Sequence, residues 1–252
     1  MNSVLIGITS FHRWQYTKLC LQALENLENI TFDCIVVDNN SNKETKDWLK
    51  QYDGKKLENG STFKIIYNSV NLGVGKALNK VLRYKLEKQH FMKLDNDTIL
   101  PSIPWEDFIT KDRVNKKCLY EMVDCLENSI EPIACLGALL FDRNRITKAP
   151  QKIIKTTTGN TYLTENFSDS HINGACQLYK NTVINKLGKF KEDFIYGFED
   201  STMGRLANEF GLGLACEWLY IAHIDKLDLP ESKEILEIKR KSLSRELKVP
   251  KE

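Results

Sequence analysis

The 252-residue chain is predicted to fold as an α/β protein built on a single doubly wound, mostly parallel (mixed) sheet flanked by helices. Three features predict it. Apolar runs of strand length, rich in Val and Ile, alternate with stretches whose apolar residues recur at helical spacing. Crossovers of that length join parallel strands, almost always with a right hand. The runs also end in small polar residues: Thr9 and Ser10, residues 38–41, Asn68, and residues 95–97. Those ends would converge on one edge, where open α/β sheets take their ligands.

Residues 3–10, SVLIGITS, read as a buried strand, with FHRWQY as the loop after it. Leu19, Leu21, Leu24 and Leu27 then recur at near-helical spacing. FDCIVVDNNS, residues 32–41, is a second strand closed by four polar residues, and residues 44–51 look helical. FKIIYN, residues 63–68, is a third strand. In the stretch after it Gly73 and Gly75 introduce a helix with Leu78, Val81, Leu82 and Leu86 as its apolar positions. HFMKLDNDT is the fourth strand. The pattern loosens after Pro101 and Pro104, then residues 117–128 form an amphipathic helix and IACLGALLFD a further strand. Residues 142–170, polar and rich in Thr, Asn and Lys, are expected to run over the active edge. HINGACQLYKNTVINKLGKF is a strand leading into a short helix, and KEDFIYGFEDSTMGRLANEFG a helix opened by acids and closed by Gly211. LACEWLYIAHID is the last strand. The expected division is one domain over residues 1–225 and a charged, helical C-terminal extension over 226–252.

A net charge of +2 with 28% charged residues makes no global field for nucleic acid, which is not favoured, although a local basic face is compatible with it. The seven cysteines are odd in number, scattered and set in apolar contexts, which fits buried free thiols in a reducing, cytoplasmic compartment. Cys118 and Cys125 lack the CxxC spacing of zinc sites. No run approaches the roughly 20 apolar residues of a membrane span, and residues 4–8 follow no basic segment. The basic residues Lys239, Arg240, Lys241 and Arg245 would allow a peripheral membrane contact.

The chemistry centres on KLDNDTILP. Side chains alternate along a strand, so Asp95 and Asp97 would project to one side and hold a hard divalent cation with room for phosphate oxygens. The plain alternative is a polar turn. The segments ITSFHR, VVDNNS, NLGVGKALN, LDNDT, NGACQLYK, GFEDSTMGRL and IAHID, in that order, resemble glycosyltransferase family 2, inverting enzymes of the GT-A fold. The resemblance runs from Val4 to about His223.

It implies a metal-dependent hexosyltransferase that takes a nucleotide-sugar, a UDP-sugar first, and a hydroxyl acceptor such as a glycan, with Mn2+ or Mg2+ as cofactor. By the same resemblance Thr9, Ser10 and Phe11 line the nucleotide pocket and Asp38 meets the base. Asn71, Gly73 and Lys76 fall where the family contacts nucleotide. Asp95 goes to the ribose or the cation's water shell, Asp97 to the cation directly, and His223 is a further metal ligand. Asp200 is the general base, Glu199 orients acceptor or base, and Gly174 and Ala175 floor the sugar pocket. Each has an ordinary structural alternative. Thr9–Phe11 and Asp38 can cap strand ends, Gly73 can open a helix, and Lys76 can be a solvated lysine. Acids at a helix start are stabilised by its dipole, His223 can sit in the core, and Gly174 and Ala175 can serve packing. The chain departs from the family where SFHR replaces a frequent Tyr-Asn and where Lys76 interrupts the small residues after NLG, which leaves donor preference open. Competing readings are a transferase acting on a modified DNA base, as in some viruses, and an inactive nucleotide-sugar-binding module. A nucleotidyltransferase would need a glycine-rich basic loop after the first strand, and SFHRWQ is not one.

Overall fold

The β-branched and apolar runs become strands and the periodic stretches become helices in a computed structural model that describes residues 4–100, 115–140, 149–169, 172–193 and 195–223. In chain order these are β1 (Val4–Ser10), α1 (Trp14–Leu24), β2 (Phe32–Asp38), α2 (Lys43–Leu49), β3 (Thr62–Tyr67), α3 (Gly73–Leu82), β4 (His90–Asp95) and β5 (Thr98–Ile99). Then come α4 (Cys118–Asn128), β6 (Ile133–Leu140), β7 (Gln151–Lys155), β8 (Thr161–Asn166), β9 (Cys176–Tyr179), α5 (Asn181–Leu187), α6 (Glu199–Ala207) and β10 (Leu212–His223). The C-terminal extension, with its basic residues 239–245, lies outside the described residues. Among the described residues no helix is long and apolar enough to cross a membrane.

One sheet runs in the order β3-β2-β1-β4-β9-β6-β10-β8-β7, with β5 paired to β10. It is mixed. β3, β2, β1 and β4 are parallel. Beyond them β9 is antiparallel to both β4 and β6, while β10 runs parallel to β6 and antiparallel to β8. Strand alternation sends Val4, Ile6 and Ile8 to one face, against Leu21 and Leu24 of α1 and Met122, Val123 and Leu126 of α4. Leu5, Ile35 and Val37 face the other layer, with Leu78 and Val81 of α3, Ile184 of α5 and Met203 of α6. All seven cysteines are free and buried.

Three expectations are corrected. FHRWQY is not all loop: His12 and Arg13 take left-handed backbone, φ 54° and 57°, and turn the chain so sharply that α1 begins at Trp14. The acid-led helix is shorter than expected, because Phe198, φ 69°, breaks the chain just before Glu199 and leaves the residues ahead of it as loop. Of residues 142–170, expected to run over the active edge, 142–148 and 170 lie outside the described residues, and 151–166 do not cross that edge. They form the β7–β8 hairpin, which extends the sheet beyond β10.

That hairpin is tied down by a carboxylate. Asp124 on α4 is 2% exposed and accepts hydrogen bonds from Asn128 Nδ2 (2.8 Å), Thr158 Oγ1 (3.0 Å), Asn160 Nδ2 (2.9 Å) and Tyr162 OH (2.7 Å). Burial alone would push this carboxyl up, but the donors from Asn160, Tyr162, Asn128 and Thr158 outweigh it and hold the pKa below the ordinary value. A lowered folded pKa contributes stability above the unfolded value of about 4 that is lost as pH falls through the folded one. Asp124→Ala is therefore expected to lower the unfolding free energy by about 2–4 kcal/mol near neutral pH. Urea midpoints should show that deficit narrowing below about pH 4.

Candidate functional site

The parallel half of the sheet delivers its strand ends to one place. Thr9 pairs with Asp95 across β1 and β4, and Ser10 with Asp38 across β1 and β2. Thr17 of α1 knots the ends together: its Oγ1 lies 3.2 Å from Ser10 Oγ and accepts from Asn96 Nδ2 at 2.9 Å. β4 stops at Asp95 and residues 96–97 form a turn, so Asp97 is placed by that turn and not by strand alternation. Both carboxylates nevertheless line one cavity of about 240 Å³, with Thr9, Arg13, Lys93, Tyr196, Glu199 and Asp200.

β9 supplies the opposite wall. Because it runs against β4, its entry segment arrives at the carboxyl end of β4, where the Asp95 N–H donates to Ala175 O (2.9 Å) and Lys93 Nζ to Gly174 O (2.5 Å). A Cβ on Gly174 would overlap the Asp200 carboxylate, so glycine is what allows α6 to bring Asp200 this close. Ala175 packs into the core beneath. Gly75 answers a second close approach, since a Cβ there would meet the Lys191 carbonyl in the loop leading to Tyr196.

A smaller cavity of about 100 Å³ adjoins the first and shares Thr9, Arg13, Val74, Asn96 and Tyr196 with it. Ser10, Phe11, Asn39, Asn71 and Ile195 complete its lining. Asn71 Oδ1 accepts from the Gly73 N–H (2.9 Å), and the Gly73 carbonyl accepts from Asn39 Nδ2 (3.2 Å), so this pair shapes the start of α3. Lys76 is half-buried on α3 and is not among the residues lining either cavity. Asp38 is fully buried, and both its carboxylate oxygens accept from the Ser41 N–H at 3.2 Å. Burial pushes its carboxyl up while Ser41 holds it back. The backbone of His223 ends β10 opposite Thr98, and its side chain lies outside the described residues. An open groove of about 640 Å³ on the outer face of α1 and α2, lined by Lys18, Trp48 and Tyr52 among others, touches none of these groups.

Lys93, Arg13 and Tyr196 are site residues that the sequence reading did not single out. Lys93, 3% exposed, places Nζ 2.8 Å from Asp95 Oδ1 and 3.6 Å from Glu199 Oε1. Its signal was present: a lysine two residues before Asp95, inside an otherwise apolar strand, must share Asp95's side. Burial alone would pull its ammonium down, but Asp95, Glu199 and Asp200 hold it above the ordinary lysine range. Glu199, 6% exposed, is pushed up to about 7 by burial, with Lys93 pulling it back and Asp200 adding to the rise. Arg13 Nη1 sits 3.2 Å from Asp97 Oδ2.

Four carboxylates thus face two cations in one cavity. That surplus of negative charge and hard oxygen donors fits Mg2+ or Mn2+. Among the described residues no three acidic, histidine or cysteine side chains cluster closely enough to hold a metal alone. Asp97 and Asp95 are the carboxylates that could hold such a cation, with its remaining positions left to other oxygen ligands.

Residues 5–188 match the sequence profile described as Glycosyl transferase family 2. A search of curated proteins returned no match. Among solved structures, S. aureus TarS 1-349 in complex with UDP-GlcNAc superposes with a TM-score of 0.60 at 15% identity, over 95% of this chain and 65% of that one. Mannosyltransferase PcManGT from Pyrobaculum calidifontis, in complex with GDP-Man and Mn2+, gives 0.61 at 14% identity, over 98% of this chain and 65% of that one. GalNAc-T7 with UDP, GalNAc and Mn2+ gives 0.57 at 16% identity, over 88% and 44%. The chain spans less than two thirds of the length of each.

Proposed function

The chain belongs to glycosyl transferase family 2 and has the GT-A fold, and from that premise we propose that it moves a hexosyl group, with inversion, from a nucleotide-sugar to an acceptor hydroxyl. A UDP-sugar is the first expectation for the donor and a glycan for the acceptor. One observation carries the reading: Asp95, Asp97, Glu199 and Asp200 line the same cavity, against a smaller one lined by Thr9, Ser10, Phe11 and Asn71.

In this reading the nucleoside lies in the smaller cavity against Thr9, Ser10, Phe11 and Asn71, with Gly73 and Asp38 shaping the walls behind it and Lys76 left to the rim. The diphosphate lies at the junction of the two cavities, and the sugar reaches toward Gly174. Mn2+ or Mg2+, held by Asp97 with Asp95 and with His223 as a proposed further ligand, would supply Lewis-acid neutralisation of charge on the leaving diphosphate. Asp200 accepts the proton of the acceptor hydroxyl as that oxygen bonds to the anomeric carbon. The bond from the anomeric carbon to the diphosphate oxygen breaks on the opposite side, and its electron pair leaves with the nucleoside diphosphate. Glu199 orients the acceptor. Lys93, fixed between Asp95 and Glu199, keeps the two acids from repelling each other across the cavity.

Asp97→Asn is expected to reduce Mn2+-dependent transfer or hydrolysis of a UDP-sugar by at least 100-fold, and full turnover at saturating Mn2+ would refute the reading. The donor is found by thermal shift with UDP-, GDP- and dTDP-sugars, with and without Mn2+. A ligand at a hundred times its Kd should stabilise the fold by about 2.7 kcal/mol. Salt-sensitive binding of DNA in place of a response to glycans would favour the modified-base acceptor. Tight donor binding without turnover on any acceptor would favour an inactive binding module.

A further inference from the structure

We propose that Arg13 is a built-in counter-cation for Asp97, a latch that makes divalent-metal binding depend on the arrival of a nucleoside diphosphate. The inference rests on the metal-dependent reading above and assigns to this chain's own arginine a role in it.

The two partners come from separate turns, Arg13 from the link between β1 and α1 and Asp97 from the link between β4 and β5. Arg13 Nη1 and Asp97 Oδ2 are 3.2 Å apart, and both side chains are only 8% exposed, so solvent screens the pair little. Arg13 is held where it is. Its guanidinium carbon lies 4.1 Å from the centroid of the Tyr16 ring, and Tyr16 is itself buried. Its backbone and that of His12 are both left-handed, a conformation that residues other than glycine adopt at a cost. The link from β2 to α2 secures that turn: the His12 N–H donates to Ser41 Oγ (2.7 Å) and the Asn42 N–H to His12 Nδ1 (3.0 Å).

Arg13 also lines both cavities, at the junction where a diphosphate would join nucleoside to sugar. A guanidinium fork matches phosphate oxygens as well as it matches a carboxylate. A metal arriving alone must part a buried ion pair and sit beside the arginine's own positive charge. A metal arriving with a diphosphate gives Arg13 new oxygens while it takes Asp97. Metal and nucleotide then bind cooperatively, and linkage makes the effect reciprocal.

The test titrates Mn2+ alone onto the full chain by calorimetry, with and without UDP. Wild type should bind Mn2+ at least tenfold more tightly when UDP is present. In Arg13→Gln, Mn2+ alone should bind about tenfold more tightly than in wild type, and the gain from UDP should shrink accordingly. Arg13→Lys, which keeps the cation, should stay near wild type, and melting curves check that each variant is folded. Should Arg13→Gln not fold, Asp97→Asn provides the second arm: with the Asp97 charge removed from Arg13, UDP alone should bind severalfold more tightly than to wild type. Unchanged Mn2+ affinity in folded Arg13→Gln, with UDP still tightening it, overturns the latch and leaves the proposed function standing. Likewise, unchanged UDP affinity in Asp97→Asn overturns the latch. Failure of wild type to bind Mn2+ even with UDP removes the metal reading and the latch together.

Discussion

Asp200→Asn is expected to lower kcat for sugar transfer by about 10²–10⁴-fold, the range of a positioned general base, with little change in donor KM. The amide keeps the shape of the carboxylate but cannot accept the acceptor's proton. Shape matters because Asp200 is packed against the Gly174 backbone, with no room for a side chain between them. Its Oδ1 also accepts from the Ser201 N–H at 2.7 Å, a bond that an asparagine oxygen can keep. The variant should therefore fold and melt as wild type does. Steady-state rates with a UDP-sugar and a fixed acceptor decide the matter. An Asp200→Asn enzyme within a few-fold of wild type would transfer the base role elsewhere, with Glu199 the nearest claimant.

Lys93→Met should cost about 3–5 kcal/mol of stability at pH 8, because it strands buried acid that the ammonium now compensates. The loss should be smaller at pH 5. Without the lysine Glu199 can take up a proton, and its pKa, already pushed up to about 7 by burial, rises further. The same change should appear in the pH–rate profile. If the acids act as carboxylates, activity rises with pH through a limb near 7 that belongs to the interacting group and not to one residue. Removing Lys93 should move that limb to higher pH. Denaturant midpoints at the two pH values and a kcat profile check both halves, and equal midpoints for wild type and variant would show that the ion pairs contribute nothing.

Much of the fold was legible where one signal acted alone. VLIGITS, FDCIVVD and the Leu78–Val81 spacing of α3 declare strand and helix by apolar pattern, and parallel crossovers then bring the polar strand ends of β1, β2 and β4 together. The reversal of β9 was not legible, since CQLY is buried on both faces and carries no directional mark. Nor was the β7–β8 hairpin: its polar residues suggested a loop, whereas its stability comes from the Asp124 hydrogen bonds, which no local pattern announces. In the site, Asp95 and Asp97 were singled out by type and spacing, and Glu199 and Asp200 by the family resemblance. Lys93 and Arg13 were missed because their meaning depends on contacts across the sheet, with Glu199 in one case and Asp97 in the other. Asp38 shows the converse. Its place at a strand end was readable, but its complete burial behind Ser41 was not.

The lodging of β9 between β4 and β6 has a consequence during synthesis. Until residue 179 has left the ribosome, β4 is a raw sheet margin whose apolar side chains, Phe91 in one layer and Met92 and Leu94 in the other, lack their neighbour. Such margins recruit strands from other nascent chains. The half that carries β1, β2 and β4 is thus translated well before the strand that seals it, and chaperone demand in the cell should peak during that interval.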